Sequence, residues 1–302
     1  MTKLEHVCQG SGKTNDIGRP INEDKLIYFS VPYEDDSIDF TILMDGATGL
    51  GRNYQIIPGY TSAEWYVDFM AINFYQTFKK DPMQDIKKVI EKCIDKAIKV
   101  ISKYEEESGI KLEEYEKPSS ALLFQRVCLD NIELFLLGDA DTIVEYSNGT
   151  IEQVHNPNQI NLQNNDSQVI NKMKEISKNR HIDVIDTRNT DEIKKMLEIN
   201  RTKKNKVCDG GYWVLGTSNN IIEHGVHLNI KKEQVKSILL TSDGFNRDII
   251  GKDEKEILDL INLVGVGDTL KLIRKAENDD KKCNKYPRFK AHDDATAAYT
   301  TF

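Results

Sequence analysis

Five short acidic motifs carry the residues of this chain that could do chemistry. They are Asn22-Glu23-Asp24, Met44-Asp45-Gly46, Gly138-Asp139, Ser242-Asp243-Gly244 and Asp293-Asp294-Ala295-Thr296. The last four begin or end apolar segments with the character of β-strands, where a carboxylate is held rigidly while its oxygens reach solvent. Carboxylates gathered in one place repel each other unless cations neutralise them, and all-oxygen ligand sets favour Mg²⁺ or Mn²⁺ over Zn²⁺ or Cu²⁺. The sequence therefore predicts a metal-centred site at strand ends.

Charge and cysteine content limit the classes of protein to consider. The formal net charge is −8, which argues against a dedicated nucleic-acid binder, and the basic clusters at residues 194–206 and 281–290 are predicted to be solvated faces. The five cysteines form no CxxC pair, so reduced thiols and a cytoplasmic location are expected. No segment has the length and apolar character of a signal-peptide core or a membrane span, so we expect no membrane partner.

Apolar periodicity predicts the elements that must position these residues. Strands are predicted at residues 26–31, 39–44, 120–129, 132–137, 142–146, 212–216, 221–228, 235–241 and 296–302. Helices are predicted at residues 60–78, 86–101, 168–178, 191–200, 252–263 and 268–277. Two consecutive helices after two strands argue against strict βαβ alternation. The order instead favours two antiparallel sheets packed together, with helices on the outside.

Turns and a polar segment divide this pattern. Asp130-Asn131 is the predicted tight hairpin turn between two strands, and Asn148-Gly149 is a second turn signal. Residues 155–208 are rich in Asn, Gln, Lys and Asp, yet helical patches persist in them. We predict that this segment is either an inserted subdomain or a mobile flap.

The motifs, taken in order, resemble those of the metal-dependent serine/threonine protein phosphatases, the PPM or type 2C family. The resemblance rests on GRPINED at 18–24, FTILMDGATG at 40–49, ELFLLGDAD at 133–141, ILLTSDGF at 238–245 and DDATAAYTTF at 293–302. It spans nearly the whole chain. It implies an α+β fold, an αββα four-layer sandwich of two antiparallel sheets flanked by helix pairs. It also implies one phosphatase domain over residues 1–302, with the divergent insert at 155–208.

The resemblance implies a set of metal ligands. Asp45 would bridge two metal ions, Mn²⁺ or Mg²⁺. Glu23 and the backbone carbonyl of Gly46 would hold one ion, and Asp243 and Asp293 would hold the other. Two cations about 3.5–4 Å apart would neutralise a phosphoryl group and acidify a bridging water. The implied reaction is therefore hydrolysis of a phosphate monoester by attack of a dimetal-bridging hydroxide.

Further roles follow from the same resemblance. Asp24 would act through a metal-bound water, and Asp139 would join Asp243 at a third ion. Arg19 would bind the substrate phosphate, because a guanidinium pairs bidentately with phosphate and stays charged. Arg19 and Asp45 are thus the expected catalytic residues. Many family members carry a histidine where this chain has Ala47, which leaves the general acid unassigned.

Three functions stay open on the sequence alone. The first is a phosphoserine/phosphothreonine protein phosphatase in signalling, monomeric, with a phosphorylated protein as substrate and a Ser/Thr kinase as candidate partner. The second is a phosphatase-like regulatory or binding module with weak or lost catalysis, which the histidine's absence and the divergent insert favour. The third is a small-molecule phosphohydrolase. The intact acidic set favours an active enzyme, because a pure scaffold would not require it.

Overall fold

A computed structural model describes residues 2–52, 54–157 and 159–302, and the described chain contains ten strands and six α-helices. The strands are β1 (Lys3–Gln9), β2 (Asp24–Tyr33), β3 (Asp36–Ala47), β4 (Ser119–Cys128), β5 (Asn131–Leu137), β6 (Asp141–Tyr146), β7 (Ile151–Val154), β8 (Val226–Lys231), β9 (Val235–Thr241) and β10 (Ala295–Thr301). The helices are α1 (Ser62–Lys80), α2 (Ile86–Ser108), α3 (Gln159–Arg180), α4 (Asp191–Thr202), α5 (Glu254–Val264) and α6 (Val266–Asp279).

The strands form two five-stranded sheets in which every neighbouring pair is antiparallel. One sheet has the order β1-β10-β9-β6-β7, and the other has the order β2-β3-β4-β5-β8. Short turns join the neighbouring strands β2–β3, β4–β5 and β6–β7, whereas helix pairs connect β3 to β4 and β9 to β10. Strands β2 to β5 all belong to the β2–β8 sheet. The chain then crosses at Gly138-Asp139-Ala140 to the other sheet, where β6 pairs with β9.

Three hydrophobic cores lie between four layers. The first contains Phe40, Phe78 and Phe124 and joins α1 and α2 to the β2–β8 sheet. The second lies between the sheets and contains Leu123 and Leu240. The third joins α5 and α6 to the other sheet. The predicted αββα sandwich is confirmed.

The segment between β7 and β8, which we call the insert, contains α3 and α4 and has a small hydrophobic core of its own. Val169, Met173 and Ile176 of α3 pack there with Ile193 of α4. Cys283 is buried in the same core, and Phe289 packs against it. Both belong to the loop between α6 and β10, so the insert rests on that loop.

Helix starts follow local capping chemistry. At α1, the Thr61 side chain accepts a hydrogen bond from the backbone N–H of Glu64, and the Glu64 carboxylate accepts one from the backbone N–H of Thr61. This capping box satisfies two backbone donors that a helix start would leave unpaired. Asp253 and Glu256 form the same arrangement at α5.

Several predicted strands are wrong or shifted. Residues 212–216 form no strand, only isolated bridges such as Ser120 with Leu215. The apolar character of this segment arises because Trp213 and Leu215 fill the core under α1 and α2. The first half of predicted strand 221–228 belongs to a 3₁₀ helix, Asn219–His224, with Ile221 and Ile222 buried in the same core, and its end belongs to β8.

Other differences concern edges and turns. β1 and β7 were not predicted, because an edge strand buries little of its length and lacks a continuous apolar run. The β4–β5 turn consists of Leu129 and Asp130, since Cys128 pairs with Asn131, so the predicted Asp130-Asn131 turn lies one residue too late. Within the described residues, no helix is both long and apolar enough to cross a membrane.

Candidate metal centre and active site

The centre of the site is the end of the β2–β3 ladder. Asp24 pairs with Asp45 in register, and the backbone N–H of Gly46 donates to the Glu23 carbonyl at 3.0 Å. A Cβ atom at Gly46 would lie 2.4 Å from the Glu23 carbonyl oxygen, so only glycine permits this approach. The absence of a side chain thus lets Glu23 lie beside Asp45.

The other sheet adds a carboxylate through the turn that follows β9. The Ser242 hydroxyl donates to Asp24 Oδ2 at 2.7 Å and accepts from the backbone N–H of Thr296 at 2.9 Å. The backbone N–H of Asp243 donates to Asp45 Oδ2 at 3.3 Å. These bonds join the two sheets at the site, and they hold Asp243 against Asp45.

The adjacent acids Asp293 and Asp294 have different surroundings. The Asp294 carboxylate accepts from the backbone N–H groups of Ser11 at 2.6 Å and Glu23 at 2.8 Å, so its two oxygens are engaged in positioning those segments. Asp293 instead lines the open cleft, and Arg274 donates to its backbone carbonyl at 2.6 Å. Of the two, only Asp293 lines the cleft, where its Oδ1 accepts from the Lys290 ammonium, and its role as a metal ligand stays a prediction.

These elements enclose a cleft of about 360 Å³. Its acidic lining residues are Glu23, Asp45, Asp139, Asp166, Asp243 and Asp293. Its basic lining residues are Lys13, Arg188, Arg201 and Lys290. We call this space the acidic cleft. A larger groove of about 780 Å³ lies at the opposite end of β5 and contains none of these acids, so chemistry rather than size identifies the site.

The acidic cleft holds more negative charge than its own cations balance. Burial, followed by the charges of Asp243, Asp24 and Asp139, raises the pKa of Asp45 well above its usual value. Burial and Asp293 raise the pKa of Asp243 to about 7. Burial and Asp166 raise the pKa of Asp139 to about 6. Ionising all of these groups together is costly, and a multivalent cation would relieve that cost.

The lining residues fit divalent cations by their donor chemistry. Carboxylate oxygens and the exposed backbone at Gly46 are hard ligands of the kind that Mg²⁺ and Mn²⁺ prefer. In the parts of the chain that the structure describes, however, no three Asp, Glu, His or Cys side chains converge closely enough to form a finished metal cluster. The carboxylates face one cleft, and bound cations would have to draw their oxygens together.

Two predicted site residues lie outside the lining of the acidic cleft. Asp24 is only 4% exposed, behind Asp45, and burial together with nearby carboxylates raises its pKa to about 7. The Arg19 guanidinium forms two hydrogen bonds to the Glu64 carboxylate, at 3.0 and 2.8 Å, and a third to the Gly59 carbonyl at 2.7 Å. Its predicted contact with phosphate stays a prediction.

The sequence does not single out five charged lining residues, one of which, Lys13, lies between β1 and β2. Asp166, Arg188 and Arg201 come from the insert, and Lys290 comes from the loop before β10. Arg201 and Lys290 belong to the two basic clusters that we predicted to be solvated faces. A signal was therefore present, but only the packing of the insert against the cleft shows which members face inward.

Comparison with known proteins establishes the family. The family model described as protein phosphatase 2C matches residues 34–265, and the chain belongs to this family. A search of curated protein sequences returns no match.

Solved structures with low sequence identity share the fold. The serine/threonine phosphatase Stp1 from Staphylococcus aureus is 15% identical with a TM-score of 0.55, covering 100% of this chain and 95% of that one. The phosphatase PstP/Ppp from Mycobacterium tuberculosis is 13% identical with a TM-score of 0.53, covering 100% and 98%. A PstP catalytic domain in complex with 2 manganese ions is 12% identical with a TM-score of 0.52, covering 99% and 97%.

Proposed function

We propose that this protein is a metal-dependent phosphoserine/phosphothreonine protein phosphatase. The observation that carries the proposal is the acidic cleft, where Glu23, Asp45, Asp243 and Asp293 from both sheets face one space beside Gly46. Membership of the protein phosphatase 2C family supports it. We infer that Asp45, Glu23, the Gly46 carbonyl, Asp243 and Asp293 would hold two ions, with Asp45 shared between them, and that Asp139 would assist at a third.

The chemistry of phosphate monoesters explains why such a cleft needs cations. The substrate is a dianion, and its uncatalysed hydrolysis is among the slowest reactions known. Divalent cations, when bound, supply charge neutralisation for the phosphoryl oxygens and a more acidic water. The carboxylates of the chain set the positions of those ions. The basic side chains Arg188 and Arg201 on the insert side attract the anionic substrate into the cleft.

Among the described lining residues, no histidine is present to donate a proton to the leaving alkoxide. Ala47 occupies the place where many relatives have one. In the metal-free protein, burial and the charge of Asp243 raise the pKa of Asp166 to about 7, so this carboxyl is an acid that can hold a proton near neutral pH. With metals bound, a water molecule is the alternative donor.

The lack of a histidine also favours the second candidate, a phosphatase-like module that binds phosphoproteins without turnover. A small-molecule phosphohydrolase is the third. The test is phosphate release from a phosphothreonine peptide and from p-nitrophenyl phosphate, each with Mn²⁺, Mg²⁺ or EDTA. We expect metal-dependent release from both substrates, abolished by EDTA. Release from neither would favour the binding module, and release from p-nitrophenyl phosphate alone would favour the small-molecule enzyme.

A further inference from the structure

Lys290 is a cation inside the proposed metal site. Its ammonium hydrogen-bonds Asp293 Oδ1 at 2.5 Å, and its side chain is only 26% exposed. The residue lines the same cleft as Asp45 and Asp243. Burial alone would lower the pKa of Lys290, but the charges of Asp293, Asp243 and Asp45 outweigh it and raise that pKa. The lysine therefore interacts electrostatically with three of the carboxylates expected to hold metal ions.

The loop that carries Lys290 is anchored rather than free. The Arg288 guanidinium donates to the Asp280 carboxylate at 2.9 Å and to the Asp280 and Ala291 carbonyls at 2.8 and 3.1 Å. The Asp280 carboxylate also accepts from the backbone N–H of Asn284 at 3.0 Å. We call residues 280–291 the anchored loop. Its internal bonds fix the backbone on both sides of Lys290, so the ammonium is directed into the cleft by a built structure.

The insert supports the anchored loop from outside. Arg188 donates to the Phe289 carbonyl at 3.0 Å, next to Lys290 in the chain. Phe289 and Cys283 contact the core of the insert. Lys290 differs from the other cleft cations, Lys13, Arg188 and Arg201, because among the described residues it alone of the four forms an ion pair with a carboxylate.

We propose that Lys290 is a tethered counter-ion of the acidic cleft, which stabilises the metal-free protein and competes with the divalent cation expected on Asp243 and Asp293. The inference rests on the proposed metal site. An ammonium on Asp293 neutralises one charge, and a divalent cation at the same carboxylates must displace it or share Asp293 with it. Metal binding on this side is therefore weaker, and the metal-free fold more stable, than the carboxylates alone would give.

The test compares wild type with Lys290→Met, which keeps most of the unbranched side chain and removes its charge. Lys285→Met is the matched control, because Lys285 is exposed on the same loop and lies over the Tyr286 ring instead of a carboxylate. Lys290→Arg retains the charge. Lys290→Gln is a second neutral variant if Lys290→Met does not fold. Mn²⁺ binding is measured by calorimetry, and the melting temperature is measured in EDTA and in saturating Mn²⁺.

We expect the neutral variants to bind the more weakly held of the two Mn²⁺ ions about tenfold more tightly than wild type does, which is a tenfold lower Kd. In EDTA they should melt about 2–4 °C lower. Lys285→Met and Lys290→Arg should match wild type in both measurements. Unchanged Kd and melting temperature in the neutral variants, with Mn²⁺ still bound, would overturn the role of Lys290 and leave the proposed function standing. If wild type and all variants fail to bind Mn²⁺, the role of Lys290 and the proposed function are both overturned.

Discussion

Asp45 lies where the repulsion among the carboxylates of the cleft is concentrated. Four other acidic side chains raise its pKa, besides burial, and its Oδ2 accepts the backbone N–H of Asp243. A residue in this position destabilises the metal-free protein when it ionises, and it becomes useful when cations bind. Function and stability therefore oppose each other at this one side chain.

Asp45→Asn should abolish hydrolysis with little loss of fold. The amide cannot supply two anionic oxygens to neighbouring cations, so the bridging role is lost. Because the substitution also removes repulsion, the metal-free variant should melt at or above the wild-type temperature. Steady-state hydrolysis at saturating Mn²⁺ and thermal melting in EDTA check both statements. Residual turnover within about tenfold of wild type would place the chemistry elsewhere.

Arg19 offers a test of the predicted phosphate contact, with its partner Glu64 as control. If the guanidinium binds substrate, Arg19→Ala should raise KM roughly ten- to a hundredfold, since a charge-assisted contact contributes about 1.5–3 kcal/mol. Arg19→Lys should recover only part of this loss, because an ammonium cannot match two oxygens in a plane. Glu64→Gln retains the guanidinium but weakens the ion pair that positions it, so its KM should rise less than that of Arg19→Ala. Equal KM values for wild type and Arg19→Ala would restrict Arg19 to its bond with Glu64.

At the residue scale, the sequence singles out the motif acids because each lies beside a recognisable strand, either just before it, near its end or just after it. Glu23, Asp45, Asp139, Asp243 and Asp293 all line one cleft in the structure. Asp166, Arg201 and Lys290 could not be predicted in the same way. Their positions depend on how the insert and the anchored loop pack, and neither local periodicity nor charge clustering determines that packing.

At the element scale, the start of α1 is linked to the site. Glu64 caps its own helix, accepts from the backbone N–H of Asn22 at 3.2 Å and pairs with Arg19. One carboxylate therefore orders the helix start and the segment that leads into Glu23. The helix cap serves the site as well as the fold.

Substitutions in two matched capping boxes separate the contribution of the cap to stability from its contribution to the site. Thr61→Ala and Asp253→Ala each remove the side-chain acceptor of a capping box, so each should lower the free energy of unfolding by about 1 kcal/mol. Only Thr61→Ala should also lower kcat/KM, because it loosens Glu64. Urea unfolding and steady-state kinetics on both variants provide the measurements. A similar loss of activity in both variants would contradict the link between α1 and the site.

Helices and strands with a strong apolar periodicity in the sequence are the ones that are predicted correctly. The helices with clear apolar faces are confirmed, with α2 starting at Ile86 as predicted. Residues 212–216 mislead because burial, rather than strand pairing, makes them apolar. A run of buried residues is compatible with an irregular segment that crosses a core, and periodicity over five residues cannot separate the two.

At the scale of the whole molecule, the acidic cleft couples pH to stability. The folded-state pKa values of Asp24, Asp166 and Asp243 are each raised to about 7, and that of Asp139 to about 6. Unfolded aspartates ionise near pH 4, so between these values the folded state binds more protons than the unfolded state. The stability that these groups contribute is present at low pH and is lost as pH rises towards 7.

In EDTA, the melting temperature should therefore fall as pH rises from 5.5 to 7. In saturating Mn²⁺ the trend should weaken or reverse, because the cations bind the ionised carboxylates. Lys204, whose pKa burial lowers to about 7, has the opposite effect, chiefly above this window. Asp45→Asn is the control and should show a smaller dependence on pH in EDTA. A melting temperature that rises with pH in EDTA would show that the cleft does not govern stability.

The four-layer architecture could be predicted from the order of elements and the family resemblance together. The seating of the insert on residues 280–291 could not, because its contacts join segments about a hundred residues apart, such as Arg188 with Phe289. Such long-range contacts leave no periodic signal in the sequence.

The central claim is that the acidic cleft holds two divalent cations bridged by Asp45. The most direct measurement is a crystal structure of the protein grown in Mn²⁺, with anomalous diffraction recorded at the manganese edge. We predict two anomalous peaks within bonding distance of Asp45, one also near Glu23 and the Gly46 carbonyl, the other also near Asp243 and Asp293. A well-diffracting crystal at saturating Mn²⁺ with no anomalous peak at Asp45 would contradict the account.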